Sequence, residues 1–224
     1  MASIWKNIRA APSDHFTGAH KFLEEALYRQ HGDRMQLYQN SKKKCGEITG
    51  MKMGRMIDKA VSVAVQKQNL FSKIKPVTIA EKAAHNVLKT LRLKHDFVPV
   101  DTQRCVTMLK HCVSPVLDLI GVTKKGTPVI VEIKCGSTAG CNRRTGNSGF
   151  LKEPLEHTPD TWRNRSFAQL AIQRAAVLCT AKRIGKESEF KKIISLLACV
   201  DTYGHIKVFK LPAKFNSVDK WSVY

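Results

Sequence analysis

Asp118, Glu132 and Lys134 are the residues of this 224-residue chain whose types and spacing best suit chemistry. They fall within residues 114–136, SPVLDLIGVTKKGTPVIVEIKCG. Two carboxylates and a lysine converging on one place suit metal-dependent cleavage of a phosphodiester. The carboxylates offer the hard oxygen ligands that Mg²⁺ or Mn²⁺ accepts, with water and a substrate phosphate completing the octahedron. The lysine would polarise an attacking water or neutralise charge growing on the phosphate. A plain ion pair between Glu132 and Lys134 is the alternative, and an Asp followed by E-x-K also arises by chance in a lysine-rich chain. Placement separates the two readings. Asp118 interrupts the apolar run LDLIG and Glu132 interrupts VIVEI, and a carboxylate buried in such a run is costly unless paired or coordinated.

The elements that must position these residues follow from the pattern. Residues 116–122 and 128–134 are apolar, β-branched runs separated by Lys124, Lys125 and Gly126, which predicts a hairpin with a short turn. Side chains alternate across a strand, so Glu132 and Lys134 leave on one face and Ile133 on the other. Two further strands are expected at 193–201 and 205–211, joined at Tyr203 and Gly204, extending the same sheet.

SPVLDLIG, a hairpin turn and VIVEIKCG resemble motifs II and III of the PD-(D/E)XK nuclease superfamily, the fold of restriction endonucleases, RecB-like nucleases and lambda-type phage exonucleases. The resemblance implies an α/β protein with a restriction-endonuclease-like core, a mixed central sheet flanked by helices. It implies that Asp118 and Glu132 hold Mg²⁺ or Mn²⁺, that the backbone carbonyl of Ile133 is a further ligand, and that Lys134 assists the water. The activity it implies is a DNA nuclease, an exonuclease working from DNA ends and leaving 5′ phosphates. An endonuclease or junction resolvase of the same fold and a non-catalytic basic nucleic-acid-binding protein are the alternatives.

Helices are expected on both sides of the hairpin. Residues 166–183, SFAQLAIQRAAVLCTAKR, carry an apolar stripe at helical spacing with Ser166 as the cap. Gln169 lies beside that stripe, where RecB-like and lambda-type nucleases carry a glutamine, often as Q-x-x-x-Y. This chain has Gln173 where tyrosine is common. Residues 54–65 form an amphipathic helix whose G-x-x-x-D start is similar to the G-x-x-x-H of RecB-like nucleases. Asp58 stands at the histidine position, either as a ligand or as a first-turn acid offsetting the helix dipole. The helix expected at 78–94 contains Glu81 and His85. In lambda-type exonucleases a glutamate of this helix approaches the metals, and Glu81 matches it; Thr78-x-x-Glu81 is equally a capping box.

With 38 Lys and Arg against 18 Asp and Glu, the formal charge is +20. The surplus is spread along the chain, so a charged globular surface facing a polyanion such as DNA is expected, with strong salt dependence. Between the E-x-K strand and the Gln169 helix, residues 136–165 read as a long loop rich in glycine and arginine. Arg143, Arg144, Arg163 and Arg165 are its candidate phosphate contacts and Trp162 its candidate base-stacking residue; a loop without order is the alternative. The N-terminal region, 1–50, reads as a helical extension, with a helix over 16–28, and 51–224 as the core of one compact domain. Trp5, Arg9 and Ser13 are similar to positions that shape the DNA-end channel of lambda-type exonucleases. Seven irregularly spaced cysteines favour reduced thiols inside a cell. No membrane span is expected, and a nuclear, mitochondrial or viral setting fits equally.

Overall fold

In a computed structural model, residues 2–9, 23, 44–45, 48–67, 76, 78–108, 113–136, 149–201 and 203–216 are described. Apart from Leu23, which is buried in the core, the helix expected over 16–28 lies outside them, as do Ser13, Arg143 and Arg144. Two short strands, β1 (Lys44–Cys45) and β2 (Ile48–Thr49), pair antiparallel and lead into helix α1 (Gly50–Gln66). Helix α2 (Ile79–His95) follows, and then strands β3 (Phe97–Cys105), β4 (Val116–Thr123) and β5 (Pro128–Cys135). Helix α3 (Trp162–Arg183), a single turn α4 (Glu187–Phe190), and strands β6 (Ile194–Val200) and β7 (Ile206–Lys210) complete the order. The protein is α/β: a five-stranded mixed sheet in the order β3-β4-β5-β6-β7 with helices on its faces. Among the described residues no helix is long and apolar enough to cross a membrane.

The hairpin forms as its sequence requires. Leu119 faces Val131 and Ile120 faces Ile130 in antiparallel register. The turn closes by Gly126 N–H donating to the Thr123 carbonyl at 2.8 Å, with Gly126 at φ +84, a conformation that a side chain resists. β5 and β6 run parallel, Glu132 beside Leu197 and Lys134 beside Cys199, so a crossover must join them, and α3 lies on it. β6 and β7 then pair antiparallel.

β3 has no counterpart in the sequence reading. It is an edge strand in which Pro99 is tolerated and a bulge sits between Pro99 and Asp101. It crosses β4 at Gly121, where a Cβ would stand 2.2 Å from the Val98 carbonyl oxygen and 2.5 Å from the Phe97 ring. Only glycine lets the two strands approach so closely.

Alternation divides the core into two layers. On one face Ile120, Val122, Ile130, Leu197 and Cys199 pack against Phe167, Leu170, Ala171 and Ala175 of α3. On the other, Leu119, Val129, Val131, Ile133 and Leu196 pack against Ile57 and Val61 of α1 and Val87 and Leu91 of α2. Trp5 is fully buried in the first layer, its indole N–H donating to the Gly121 carbonyl at 2.8 Å and its ring edge-on to Phe190 at 5.0 Å. It packs the core and so cannot line a DNA channel.

Candidate functional site

Asp118 on β4 and Glu132 and Lys134 on β5 share the face covered by α3, as period-two alternation predicts. Three side chains meet at Glu132. Lys134 Nζ stands 2.6 Å from Glu132 Oε1 and donates to Gln169 Oε1 at 2.8 Å. Gln169 Nε2 donates back to Glu132 Oε1 at 2.8 Å. The other carboxylate oxygen accepts from Gln173 Nε2 at 2.5 Å, and the same amide reaches the Val116 carbonyl at 2.9 Å. Gln173 is therefore a member of the site that the sequence reading noted only as a missing tyrosine. Its position four residues after Gln169, one helical turn on, was the available signal.

Asp118 is held differently. Its Oδ2 accepts the backbone N–H of Ile133 at 2.8 Å, so the residue that follows Glu132 on β5 fixes it through the main chain. Ile133 thus contributes an amide to the site, while its side chain packs in the opposite layer.

A fourth charged residue joins them. Gly54, Asp58 and Ser62 are spaced one turn apart on α1. Gly54 packs on Cys135, and Ser62 Oγ meets Thr102 Oγ1 at 2.9 Å, so this stripe faces the sheet. Asp58 lies between them, half-buried, close enough to Glu132, Lys134 and Asp118 to shift their titration or be shifted by it. α1 begins at Gly50, earlier than expected, so Asp58 is in the third turn and cannot be a first-turn dipole acid.

The electrostatics describe a centre short of positive charge. Burial, and then the neighbouring Glu132 carboxylate, push Asp58 from 3.8 up to about 6. Burial and Glu132 also hold Asp118 well above the usual carboxylate range. Burial works against the Lys134 ammonium but is overcome by Glu132 and Asp118, so its pKa is raised and it stays charged. Cys135 and Cys199, whose thiols burial pushes up to about 12, are neutral thiols here.

Glu81 goes elsewhere. Its carboxylate accepts the Thr78 N–H at 2.9 Å while its own N–H donates to Thr78 Oγ1, completing the capping box. It lines a cavity of about 500 Å³ between α1 and α2, together with Met56, Lys59, Ala60 and Leu88. Those α1 residues lie on the side of the helix away from Asp58. The carboxylate that α1 and α2 bring to the centre is thus Asp58, in place of the expected Glu81.

The long segment before α3 is more ordered than expected where it is described. Phe150 bridges Pro159, Leu151 N–H donates to the Thr158 carbonyl at 2.9 Å, and Leu151 and Leu155 enter the core. Arg165 grips the fully buried Asp160 with two hydrogen bonds of 2.6 and 2.8 Å. It is a structural ion pair, which corrects its assignment as a phosphate contact. Trp162 is half-buried in the first turn of α3. Arg163 lies over the Phe209 ring, 5.3 Å from its centroid.

Among the described residues, no three His, Cys, Asp or Glu side chains are grouped so as to hold a metal ion by themselves. A Mg²⁺ site needs fewer, since one or two carboxylates with waters and a substrate phosphate suffice. Asp58 and Asp118 meet that requirement in charge: both are raised, and Asp58 has no hydrogen-bond donor among the described residues. Glu132 is already neutralised by Lys134. In comparisons with known proteins, the chain matches no family model and no curated sequence.

Proposed function

We propose that this protein is a metal-dependent nuclease of the PD-(D/E)XK type, acting on DNA and working as an exonuclease from its ends. The observation that carries the reading is the placement of Asp118, held by the Ile133 amide, beside the hydrogen-bonded Glu132, Lys134 and Gln169, on a β4-β5 hairpin followed by a crossover helix and a parallel strand. Support comes also from the raised carboxyls of Asp58 and Asp118, which call for a cation or a proton. Asp118 and Asp58, with Glu132 beside them, would hold Mg²⁺ or Mn²⁺. A bound ion would lower the pKa of a water and offset charge on the phosphate. Lys134, charged and aimed into the centre by Glu132 and Gln169, would orient that water or stabilise the phosphate oxygens. The net charge of +20 suits a polyanionic substrate.

A non-catalytic nucleic-acid-binding protein is the second reading, favoured by one observation: both oxygens of Glu132 are occupied by protein donors. Incubating wild-type protein and Lys134→Ala with linear and closed-circular DNA, in Mg²⁺ or in chelator, separates the two. Digestion of linear DNA alone, dependent on Mg²⁺ and abolished in Lys134→Ala while DNA binding persists, is expected. Nicking of circles would make it an endonuclease. Absence of Mg²⁺-dependent cleavage, or cleavage retained by the variant, overturns the nuclease reading.

A further inference from the structure

The sheet register carries a second row of residues past the catalytic candidates. Glu132 pairs with Leu197 and Leu197 with Phe209. Two positions along, Lys134 pairs with Cys199 and Cys199 with Lys207. Paired residues project to the same face, so Phe209 and Lys207 stand on the α3 side of the sheet. They repeat the Glu132 and Lys134 rows two strands away, about 10 Å at the spacing of neighbouring strands.

α3 completes the row from above. Gln169 and Gln173 form the stripe that faces Glu132. Arg163 and Phe167, one turn apart, form the stripe that faces β7, with Phe167 edge-on to Phe209 at 6.3 Å. The Phe209 ring supports the Arg163 guanidinium at 5.3 Å, a cation–π arrangement that fixes the group while leaving its N–H donors free to bind. Arg163 is also close enough to Cys199 to act on its thiol. Among the described residues neither Arg163 nor Lys207 has a carboxylate partner. This contrasts with Arg165, two residues on, which is consumed by Asp160.

We propose that Arg163 and Lys207 form a phosphodiester-binding subsite over β6 and β7, which holds the substrate backbone next to the phosphate presented to Asp118 and Lys134. The inference rests on the nuclease reading for the identity of its substrate. It assigns the strand a path across the α3 face toward the β7 edge. Arg163, planar and supported from below, can take two phosphate oxygens, and the exposed Lys207 acts as a point charge.

The test is the salt dependence of binding to a fluorescein-labelled single-stranded oligonucleotide in chelator, where no cleavage is needed. Each phosphate contact to a single strand contributes about 0.7 to the log–log slope of affinity against salt. Lys207→Gln, an exposed position that folding tolerates, should lower the slope by about 0.7, and the double variant with Arg163→Gln by about 1.4. Lys89→Gln, exposed on α2 in the opposite layer, should leave it unchanged. An unchanged slope in Lys207→Gln, or an equal fall in Lys89→Gln, overturns the subsite. Cleavage by wild-type protein in Mg²⁺ is read separately, so failure of the nuclease reading leaves this measurement intact and distinguishable.

Discussion

Replacing Asp58 by Asn should stabilise the protein at neutral pH, although a half-buried side chain of a candidate site is being altered. A carboxyl whose pKa is raised in the folded state retains a proton that the unfolded chain releases. Its effect on stability is therefore absent at low pH and becomes unfavourable as pH rises toward the folded value. For Asp58 the window runs from 3.8 to about 6. That difference corresponds to about 3 kcal/mol of unfavourable interaction above the window, and solvent screening at a half-buried position reduces it to about 1–2 kcal/mol. In a protein of this size the gain amounts to about 2–8 °C in Tm. Thermal unfolding of wild type and Asp58→Asn in chelator, at low pH and at pH above the window, provides the assay. The two proteins should melt together at low pH, and the variant should melt higher above the window. Added Mg²⁺ should then raise the wild type more than the variant, because a cation offsets the cost of the buried charge and its repulsion by Glu132. A variant that melts at or below the wild type above the window would show that the Asp58 carboxyl is not held up by its burial and by Glu132, and the charge argument for a cation would fall with it.

Two further substitutions test the scaffold around the site. Gly121→Ala forces a Cβ against the Val98 carbonyl, which backbone pairing holds in place, and should cost about 3 kcal/mol, the upper end for an overpacked site; a Tm unchanged from wild type refutes the close β3–β4 approach. Arg165→Gln leaves the Asp160 charge buried without its guanidinium and should cost about 3–5 kcal/mol in urea unfolding, with DNA affinity little altered. Full stability with weakened DNA binding would return Arg165 to the role its sequence context suggested.

The hairpin was legible because two independent signals agreed. Strand alternation placed Glu132 and Lys134 together, and Gly126 marked the turn. The α3 helix was legible too, but its start was not. Thr161 caps it through Asn164 N–H at 3.1 Å, whereas Ser166 turns its hydroxyl back to the Trp162 carbonyl inside the helix. Such residues cap or back-bond with equal ease, and local sequence does not choose between them. β3 was hidden by Pro99 and by Asp101, Gln103 and Arg104, which suit an edge strand but mimic a loop. What Asp58 faces depends on where α1 begins, which local sequence does not show, and a capping box and a ligand look alike in sequence at Glu81. Arg165 looked like a free cation because nothing local announces that Asp160, five residues earlier, is fully buried beneath it.

Trp5 has a consequence for how the chain reaches this fold. Its hydrogen-bond acceptor, Gly121, lies 116 positions away, and the ring it packs against belongs to Phe190. During synthesis from the N-terminus the indole stays in water until Phe190, beyond the first three strands of the sheet, has left the ribosome. Closure of such distant contacts is slow and comes late. Its docking therefore ties the N-terminal residues to a part of the fold made much later, and the change in tryptophan emission on burial of Trp5 would time that closure.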